Sequence, residues 1–274
     1  MRKFAHIVNL GIFPETSDLH IAQPITVETM RIAKEFAVGQ ADVALLSAQY
    51  PEDRRAVPNY FTVTPDLTRS VLDFADFKVR RKLPLIKDIL DRACDAAESD
   101  YIVYSNVDIG LLPHFYVTLN RIIESGIDAF IINRRLIAKE FTKLEDIPLM
   151  WAEVGRPHMG YDCFVFKRDV YPKFDLGLTC IGASYYDKLL LGNLLLYSSN
   201  FKVFRDHHLT FHIGNDKTWT SKAHEDYQSY NKAALDKFVA GLDAEKGTLV
   251  QRTLAENRRR GLRKKFADYL GARW

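Results

Sequence analysis

Two oxygen-bearing side chains, Asn106 and Asp108, follow the apolar run Tyr101–Tyr104. Because they are two positions apart, an extended backbone would direct both side chains from the same face. Amide and carboxylate oxygens bind hard divalent cations, which also accept phosphate oxygens as ligands. The pattern therefore predicts a cation site at the end of a buried strand. The alternative is a solvated turn in which both side chains accept hydrogen bonds from their own backbone.

A second cluster lies between residues 206 and 220, where three of the eight histidines fall close together. These are His207, His208 and His212. A neutral imidazole is a good ligand for borderline divalent metals, so the cluster could complete a metal site. Downstream, Gly214 would allow the backbone to approach a ligand closely, and Lys217 could contact a phosphate. The alternative is a histidine-bearing loop on the surface.

Two carboxylates are candidates for a general base. Asp162 directly precedes the apolar run Cys163–Phe166 and would lie where that strand begins. Asp187 falls in the first turn of a helix for which Ser184 is the expected N-cap. A carboxylate at either place could accept a proton from a hydroxyl group. For Asp187 the alternative is purely structural, because the helix dipole favours an acidic first turn.

Two further residues are candidates for binding a nucleotide. Asn9 lies near the end of the first predicted strand, and in α/β nucleotide-binding folds this end often lies beside the base or ribose. Arg81 belongs to a basic stretch at residues 78–82 that could neutralise a diphosphate. The alternative for Arg81 is a solvated rim. No Gly-rich phosphate loop follows the first strand, which argues against a Rossmann dinucleotide site or a P-loop.

Short apolar runs alternate with helical patterns, which predicts an α/β fold with a mostly parallel central sheet flanked by helices. The predicted strands are Phe4–Leu10, Asp42–Ser47, Phe61–Thr64, Tyr101–Tyr104, Asp128–Asn133, Cys163–Phe166 and Phe201–Phe204. The predicted helices are Pro24–Ala37, Leu67–Phe74, Pro84–Ala97, Pro113–Ser125, Leu144–Trp151, Ser184–Leu196, His224–Leu242 and Ala244–Leu270. Residues 11–23 contain Gly, Pro and Asp and are predicted to form a loop.

Length and composition set the outer limits of the interpretation. The chain has 274 residues, 47% of them hydrophobic, which suits one large domain or one domain with an extension. No apolar run approaches the ~18 residues of a membrane span, and the N-terminus lacks a signal-peptide pattern. The three cysteines, Cys94, Cys163 and Cys180, form neither a disulfide framework nor a zinc pattern, so a reducing cytoplasm is expected.

Charge is distributed unevenly along the chain. Residues 246–274 contain nine Lys or Arg and two acidic residues, a net charge of +7, whereas the whole chain carries +3. Residues 1–245 are therefore net −4, and the C-terminal segment is a separate electrostatic unit. Such a basic helix is usually solvated, but it could also contact an anionic membrane surface peripherally. Few aromatic residues accompany these charges, so nucleic-acid binding is not expected.

Two of these motifs resemble those of a known enzyme family. Asn106-Val107-Asp108 looks like a variant of the Asp-x-Asp motif of GT-A glycosyltransferases. The segment His212–Trp219 resembles the C-terminal His-x-x-Gly-x-x-Lys-Pro-Trp motif of glycogenin-like glycosyltransferases. The resemblance implies a Mn²⁺ or Mg²⁺ cofactor held by Asp108 and His212, with Asn106 as a weaker ligand or a ribose contact.

The same resemblance implies that Gly214 and Lys217 contact the diphosphate of a nucleotide sugar. The sequence departs from the family pattern in three places: Asn106 replaces the first Asp, Thr218 replaces the Pro, and the His–Gly spacing is one residue shorter. The order of elements is similar over roughly residues 4–220. It implies a GT-A-like glycosyltransferase domain at residues 1–222 and a basic helical extension at 223–274.

The implied function is transfer of a hexosyl group from a nucleotide diphosphate sugar, with a UDP-sugar as the expected donor. The acceptor would be a hydroxyl of a glycan or of a lipid-linked molecule, as in polysaccharide biosynthesis. An inverting transfer would need Asp187 or Asp162 as base, whereas a retaining transfer would need none. Two alternatives stay open: a nucleotidyltransferase acting on sugar phosphates, and a non-catalytic nucleotide-sugar-binding module. The expected location is the cytoplasm, with a possible contact at the inner face of the membrane.

Overall fold

The computed structural model describes the backbone of residues 1–214 and 224–269 and the side chains as far as Glu256. Strands and helices alternate through most of this length. In chain order the elements are β1 (Arg2–Asn9), α1 (Asp18–Phe36), β2 (Ala41–Ala48), β3 (Thr62–Val63), α2 (Ile86–Ala96), β4 (Tyr101–Ser105), β5 (Gly110–Leu111), α3 (Phe115–Glu124), β6 (Ala129–Ile132), β7 (Arg135–Ile137), α4 (Ile147–Ala152), β8 (Arg156–Pro157), β9 (Cys163–Lys167), α5 (Tyr186–Tyr197), β10 (Phe201–Phe204), β11 (Thr210–Ile213), α6 (Glu225–Ala240) and α7 (Ala244–Tyr269).

The central sheet has seven strands in the order β10-β6-β9-β4-β1-β2-β3. Strands β1 to β4 run parallel to one another, and β10 runs parallel to β6. Strand β9 is antiparallel to both β4 and β6. Because helices cover both faces, strands β4 and β6 are buried along their whole length, which explains their continuous apolar sequences. The predicted α/β fold with a mostly parallel sheet is confirmed.

A smaller sheet brings distant parts of the chain to the end of β4. Its order is β5-β11-β7-β8, with β11 antiparallel to β5 and parallel to β7. Strand β5 follows the polar turn after β4 within a few residues, whereas β11 comes about a hundred residues later. The pairing of β5 with β11 therefore places the histidine-bearing segment beside the Asn-x-Asp turn.

Three local expectations about helices are wrong. Helix α1 begins at Asp18 and not at Pro24, because the Ser17 hydroxyl accepts a hydrogen bond from the Leu19 N–H and caps the helix inside the predicted loop. Between residues 67 and 74 only a short 3-10 turn, Val71–Asp73, forms after the Ser70 cap. Helix α5 begins at Tyr186, two residues after the predicted start, and Ser184 does not cap it.

The C-terminal helices pack on the main body. Helices α6 and α7 both contact α5, and Leu235 and Phe238 of α6 join the core cluster beneath the sheet. The ring of Tyr227 in α6 stacks on Phe77 with 3.9 Å between ring centroids. The proposed domain boundary at residues 222 and 223 lies outside the described residues. Within residues 1–214 and 224–269, no helix is long and apolar enough to cross a bilayer.

A buried histidine braces the end of β4. The Nδ1 of His6 lies 2.8 Å from the Tyr116 hydroxyl, and its Nε2 lies 2.9 Å from the Ser105 hydroxyl. Burial lowers the pKa of His6 to about 3, so the ring is neutral in the folded protein. Ser105 is the last residue of β4, and this contact therefore fixes the strand end from which Asn106 and Asp108 project.

The depressed pKa of His6 predicts that stability falls in mild acid. The unfolded chain takes up a proton near pH 6.5 and the native state does not, so below that pH this residue lowers the unfolding free energy by up to about 1.4 kcal/mol per pH unit. Urea unfolding between about pH 7.5 and pH 5 would measure the slope. His6→Gln keeps polar partners without titrating in this range, and we expect a shallower slope. Equal slopes for the two proteins would contradict the assignment.

Candidate active site

Asp108 and His212 converge at the C-terminal end of the central sheet. The Asp108 Oδ2 and His212 Nε2 atoms are 3.2 Å apart, although the residues are 104 positions apart in the sequence. Burial works to raise the pKa of the Asp108 carboxyl, but His212 and the charge of Arg134 outweigh it and lower that pKa below its usual range. Burial works to lower the pKa of His212, and Asp108 reverses this and raises it. The two groups thus stabilise each other's charged forms.

The backbone after β11 sets the orientation of the His212 ring. The His212 Nδ1 atom lies 3.1 Å from the carbonyl oxygen of Gly214. Because a carbonyl can only accept, Nδ1 carries the proton, and Nε2 is the nitrogen presented to Asp108. Metal-ligating histidines commonly donate their second ring N–H to a backbone carbonyl in this way, which fixes the ring and raises its basicity.

The donor set at Asp108 and His212 fits a divalent cation that also binds phosphate. The Asp108 Oδ1 atom is buried, and among the residues that the structure describes it has no hydrogen-bond partner, an unusual condition for a carboxylate oxygen. A cation would satisfy this oxygen and could take the position of the proton on His212 Nε2. Within the part of the chain that the structure describes, no group of three or more His, Cys, Asp or Glu could hold a metal. Remaining ligands would therefore be water or substrate phosphates, as is common for Mg²⁺.

Asn106, the other expected ligand, uses its amide elsewhere. Its Oδ1 atom accepts hydrogen bonds from the hydroxyls of Tyr104, at 3.1 Å, and Tyr186, at 2.7 Å. Its Nδ2 atom donates to Asp162 Oδ1 at 3.2 Å. A carbonyl oxygen offers two lone pairs, and both are occupied here. The geometry thus argues against Asn106 as a metal ligand, because the oxygen that would coordinate is already shared by two hydroxyls.

Asp162 is held on both carboxylate oxygens. Asn106 bonds Oδ1, and Arg134 forms an ion pair with Oδ2 in which the side chains are only 8% and 9% exposed. A buried ion pair of this kind is strongly destabilised when one partner is removed. The charge of Arg134 also acts on Asp108 and His212. Arg134 was not among the predicted site residues, although its position directly after an apolar strand was a usable signal.

Asp187 lies at the start of α5, beside the Asn106 network. Its Oδ1 atom accepts a hydrogen bond from the backbone N–H of Tyr185 at 3.0 Å. Tyr185 has φ = 83°, the only positive value among non-glycine residues that the structure describes, and such strain is concentrated at functional sites. Burial raises the pKa of the Asp187 carboxyl; Lys188 opposes the rise and Asp162 adds to it. A carboxylate with a raised pKa is a suitable general base.

Of the predicted nucleotide-binding residues, Asn9 and Arg81 form no hydrogen bond with the described residues of this cluster. Asn9 ends β1 at the same edge of the sheet as Asp108, and its Nδ2 donates to the Ala48 carbonyl at 2.8 Å. The backbone N–H of Arg81 donates to the Tyr227 hydroxyl at 2.7 Å, and no described residue forms a hydrogen bond with its buried Nε atom. Lys217 lies outside the described residues. The structure thus brings Asp108, His212, Gly214, Asn106 and Asp162 together.

The role of Gly214 can be tested by adding one methyl group. Gly214 has φ = +69°, and an added Cβ would lie 2.6 Å from the Lys139 side chain. Gly214→Ala should destabilise the protein by about 1–2 kcal/mol through the backbone. It should also weaken Mn²⁺ binding by about 10–100-fold, because the carbonyl that orients His212 would move. Calorimetric Mn²⁺ titration and thermal unfolding measure the two effects.

Gly39 provides the matched control for this substitution. It has φ = +79° in the turn before β2, and nothing lies within 4 Å of an added Cβ. Gly39→Ala should therefore have a similar backbone cost and leave Mn²⁺ binding unchanged. Equal Mn²⁺ affinities in the two variants would contradict a role for Gly214 in the site.

Comparison with known proteins identifies the fold. The structure of S. aureus TarS residues 1–349 in complex with UDP matches with a TM-score of 0.58 and 11% identity, covering 94% of this chain and 71% of that one. The complex of the same protein with UDP-GlcNAc matches with a TM-score of 0.55 and 10% identity, covering 93% and 71%. A mycobacterial protein matches with a TM-score of 0.51 and 13% identity, covering 89% and 76%.

No protein-family model matches the sequence, and no curated protein matches it. At identities of 10–13%, the structural similarity establishes the fold alone. Together with the mixed sheet and its flanking helices, it shows that the chain has the GT-A glycosyltransferase fold.

Proposed function

We propose that this protein transfers a glycosyl group from a nucleotide diphosphate sugar, with a UDP-sugar as donor, to a hydroxyl acceptor. One observation carries the proposal: Asp108 and His212 meet at 3.2 Å at the mouth of a GT-A sheet, and Asp108 keeps a buried carboxylate oxygen for which the described part of the chain offers no partner. The TarS complexes, which contain UDP and UDP-GlcNAc on the same fold, support the choice of donor.

At the donor end, Asp108 and His212 would hold Mn²⁺ or Mg²⁺. The cation would supply positive charge to the diphosphate as it becomes the leaving group. We assign Gly214, Lys217 and Arg81 to diphosphate binding, and Asn9 to the base or ribose. Support for Asn9 comes from its position at the end of β1, the strand paired with β4.

At the acceptor end, we assign the general base to Asp187. The acceptor hydroxyl would give its proton to the Asp187 carboxylate while its oxygen attacks the anomeric carbon. The bond from that carbon to the diphosphate breaks, and its electron pair leaves with the diphosphate. This assignment makes the transfer an inverting one. Asp162, whose two oxygens are already bonded to Asn106 and Arg134, would position neighbouring groups rather than take the proton.

The acceptor follows from the family resemblance, the cytoplasmic location from the cysteine pattern, and the membrane contact from charge. We propose that the acceptor is a glycan or a lipid-linked molecule of polysaccharide biosynthesis, and that the protein acts in the cytoplasm. Residues 246–274, with their net charge of +7, would contact an anionic membrane surface peripherally and would not bind nucleic acid. In this arrangement residues 1–222 form the catalytic domain and residues 223–274 the basic extension.

Two measurements test the proposed function. Calorimetric titration with UDP should show binding that depends on Mn²⁺ or Mg²⁺, and a screen of UDP-sugars should show slow hydrolysis with water as acceptor. Release of pyrophosphate from a nucleoside triphosphate and a sugar phosphate would instead identify a nucleotidyltransferase. Metal-dependent UDP binding without turnover on any donor and acceptor would indicate a binding module. Absence of UDP binding at any metal concentration would refute the proposal.

A further inference from the structure

The side chain of Asn106 links three elements at the centre of the site. Its Oδ1 atom accepts from Tyr104 of β4 and from Tyr186 of α5, and its Nδ2 atom donates to Asp162 at the entrance of β9. The backbone N–H of Asn106 also donates to the Asp162 carbonyl at 3.0 Å. The three partners are each no more than 6% exposed, so these bonds lie away from water.

The chemistry of the partners fixes the orientation of this amide. The carboxylate of Asp162 can only accept, so it must face the N–H₂ group of Asn106. A rotated amide would put a carbonyl oxygen against a carboxylate oxygen in a buried setting, which is unfavourable. The carbonyl of Asn106 therefore points to the two tyrosine hydroxyls.

The link to Tyr186 also bears on the strained start of α5. Tyr186 lies between Tyr185, with φ = 83°, and Asp187, the proposed base. The Tyr186 hydroxyl bond to Asn106 and the Asp187 bond to the Tyr185 N–H hold this turn from two sides. Strained backbone persists only where surrounding contacts fix it in this way.

We propose that Asn106 is a positioning residue that holds Asp162 and the first turn of α5 in register, and that it is not a ligand of the cation. This inference rests on the proposed function, because the group it positions is the base assigned to Asp187. Asparagine satisfies the position because one end of its amide accepts from hydroxyls and the other donates to a carboxylate. Aspartate has no such donor and would set a second carboxylate against Asp162.

The substitution Asn106→Asp separates this role from that of a metal ligand. It restores the Asp-x-Asp pattern, so a metal-ligand role predicts tighter Mn²⁺ binding and faster turnover. A positioning role predicts the opposite for turnover, because the N–H donor to Asp162 is lost and two buried carboxylates repel each other. The two roles thus differ in the sign of the expected change in kcat.

The experiment compares steady-state UDP release by the wild-type protein, Asn106→Asp and Tyr186→Phe, using the best donor from the UDP-sugar screen. For Asn106→Asp we expect kcat to fall about 100-fold, the scale of a small misplacement of reacting groups, with the donor KM within about 3-fold of wild type. Tyr186→Phe should lower kcat in the same direction with an unchanged donor KM. Tyr171→Phe is the control, because Tyr171 is equally buried and its hydroxyl bonds Asp91 far from the site.

Calorimetric titration of UDP in the presence of Mn²⁺ completes the test. We expect Tyr186→Phe to bind UDP as the wild type does, and its melting temperature to match that of Tyr171→Phe. An Asn106→Asp variant with undiminished kcat, or a Tyr186→Phe variant indistinguishable from Tyr171→Phe in kcat, would overturn this inference alone. A wild-type protein that neither binds UDP with Mn²⁺ nor turns over any donor would overturn the proposed function, and this inference with it.

Discussion

Asp108→Ala should abolish metal-dependent turnover, with a fall on the order of 10³-fold or more. The reason is that the substitution removes the acidic side chain bonded to His212 and, with it, a buried oxygen that has no partner within residues 1–214 and 224–256. A cation at such a site contributes several kcal/mol of charge stabilisation to the leaving group, and each 1.4 kcal/mol corresponds to about tenfold in rate. UDP release with the best donor, at saturating Mn²⁺, is the measurement.

In the Asp108→Ala protein, the affinity for UDP should be the same with and without Mn²⁺. Asp108→Asn is the shape-preserving companion, and its melting temperature should stay within about 2 °C of wild type, equivalent to about 1 kcal/mol for a chain of this length. Asp42→Ala is the matched control, because Asp42 is an exposed carboxylate near the start of β2, at the opposite end of the sheet. Full activity of Asp108→Ala in a folded protein would refute the site assignment.

The large elements of the fold were predictable because their signals are local. Runs such as Tyr101–Tyr104 are buried on both faces and are therefore continuously apolar, so their sequences alone indicate central strands. The short strands of the second sheet carry no such signal. The sequence around Thr210–Ile213 predicts a histidine-bearing loop, whereas the structure has strand β11 there, because its extended form depends on pairing with β5 and β7.

The candidate site shows the same division. The resemblance to glycosyltransferase motifs predicts that Asp108 and His212 act together, and the structure brings them into contact. Spacing alone, however, suggested that Asn106 and Asp108 act together on one face. The different use of Asn106 depends on Tyr186 and Asp162, which belong to other elements and reach it only in the folded chain. The position of Arg134 after an apolar strand was a usable signal, but its pairing with Asp162 was not predictable, because Asp162 precedes a strand that pairs with β6 only in the folded chain.

The first-turn position of Asp187 has two explanations, a structural cap and a catalytic base, and one substitution separates them. Asp187→Asn keeps an oxygen where Oδ1 accepts the Tyr185 N–H, so the turn should be preserved, but an amide cannot take up a proton. If Asp187 is the base, kcat should fall by about 10²–10⁴-fold, the usual contribution of general base catalysis. Steady-state UDP release with an acceptor measures it, and the product of the wild-type reaction should have inverted anomeric configuration.

The raised pKa of Asp187 predicts the direction in which kcat and stability change with pH. The base must be ionised to act, so wild-type kcat should fall as the pH drops through a value above 3.8, the ordinary value for Asp, and this acid limb should be absent in the Asn variant. The contribution of Asp187 to wild-type stability should instead rise as the pH drops. Burial disfavours the charged carboxylate in the folded state, so at neutral pH Asp187→Asn should unfold at higher urea than wild type, and the advantage should disappear as the pH falls towards 3.8.

Glu245→Gln supplies the control for the helix-dipole explanation, since Glu245 is an exposed acid in the first turn of α7. We expect it to change neither kcat nor the pH profile. If Asp187→Asn lost stability at pH 7 and kept its turnover, the carboxylate would be a structural cap and the transfer would need another base. If Asp187→Asn gains stability and loses kcat, the carboxylate is a base held at a destabilising position. Substituting a purely structural cap would lower both stability and kcat, or change neither.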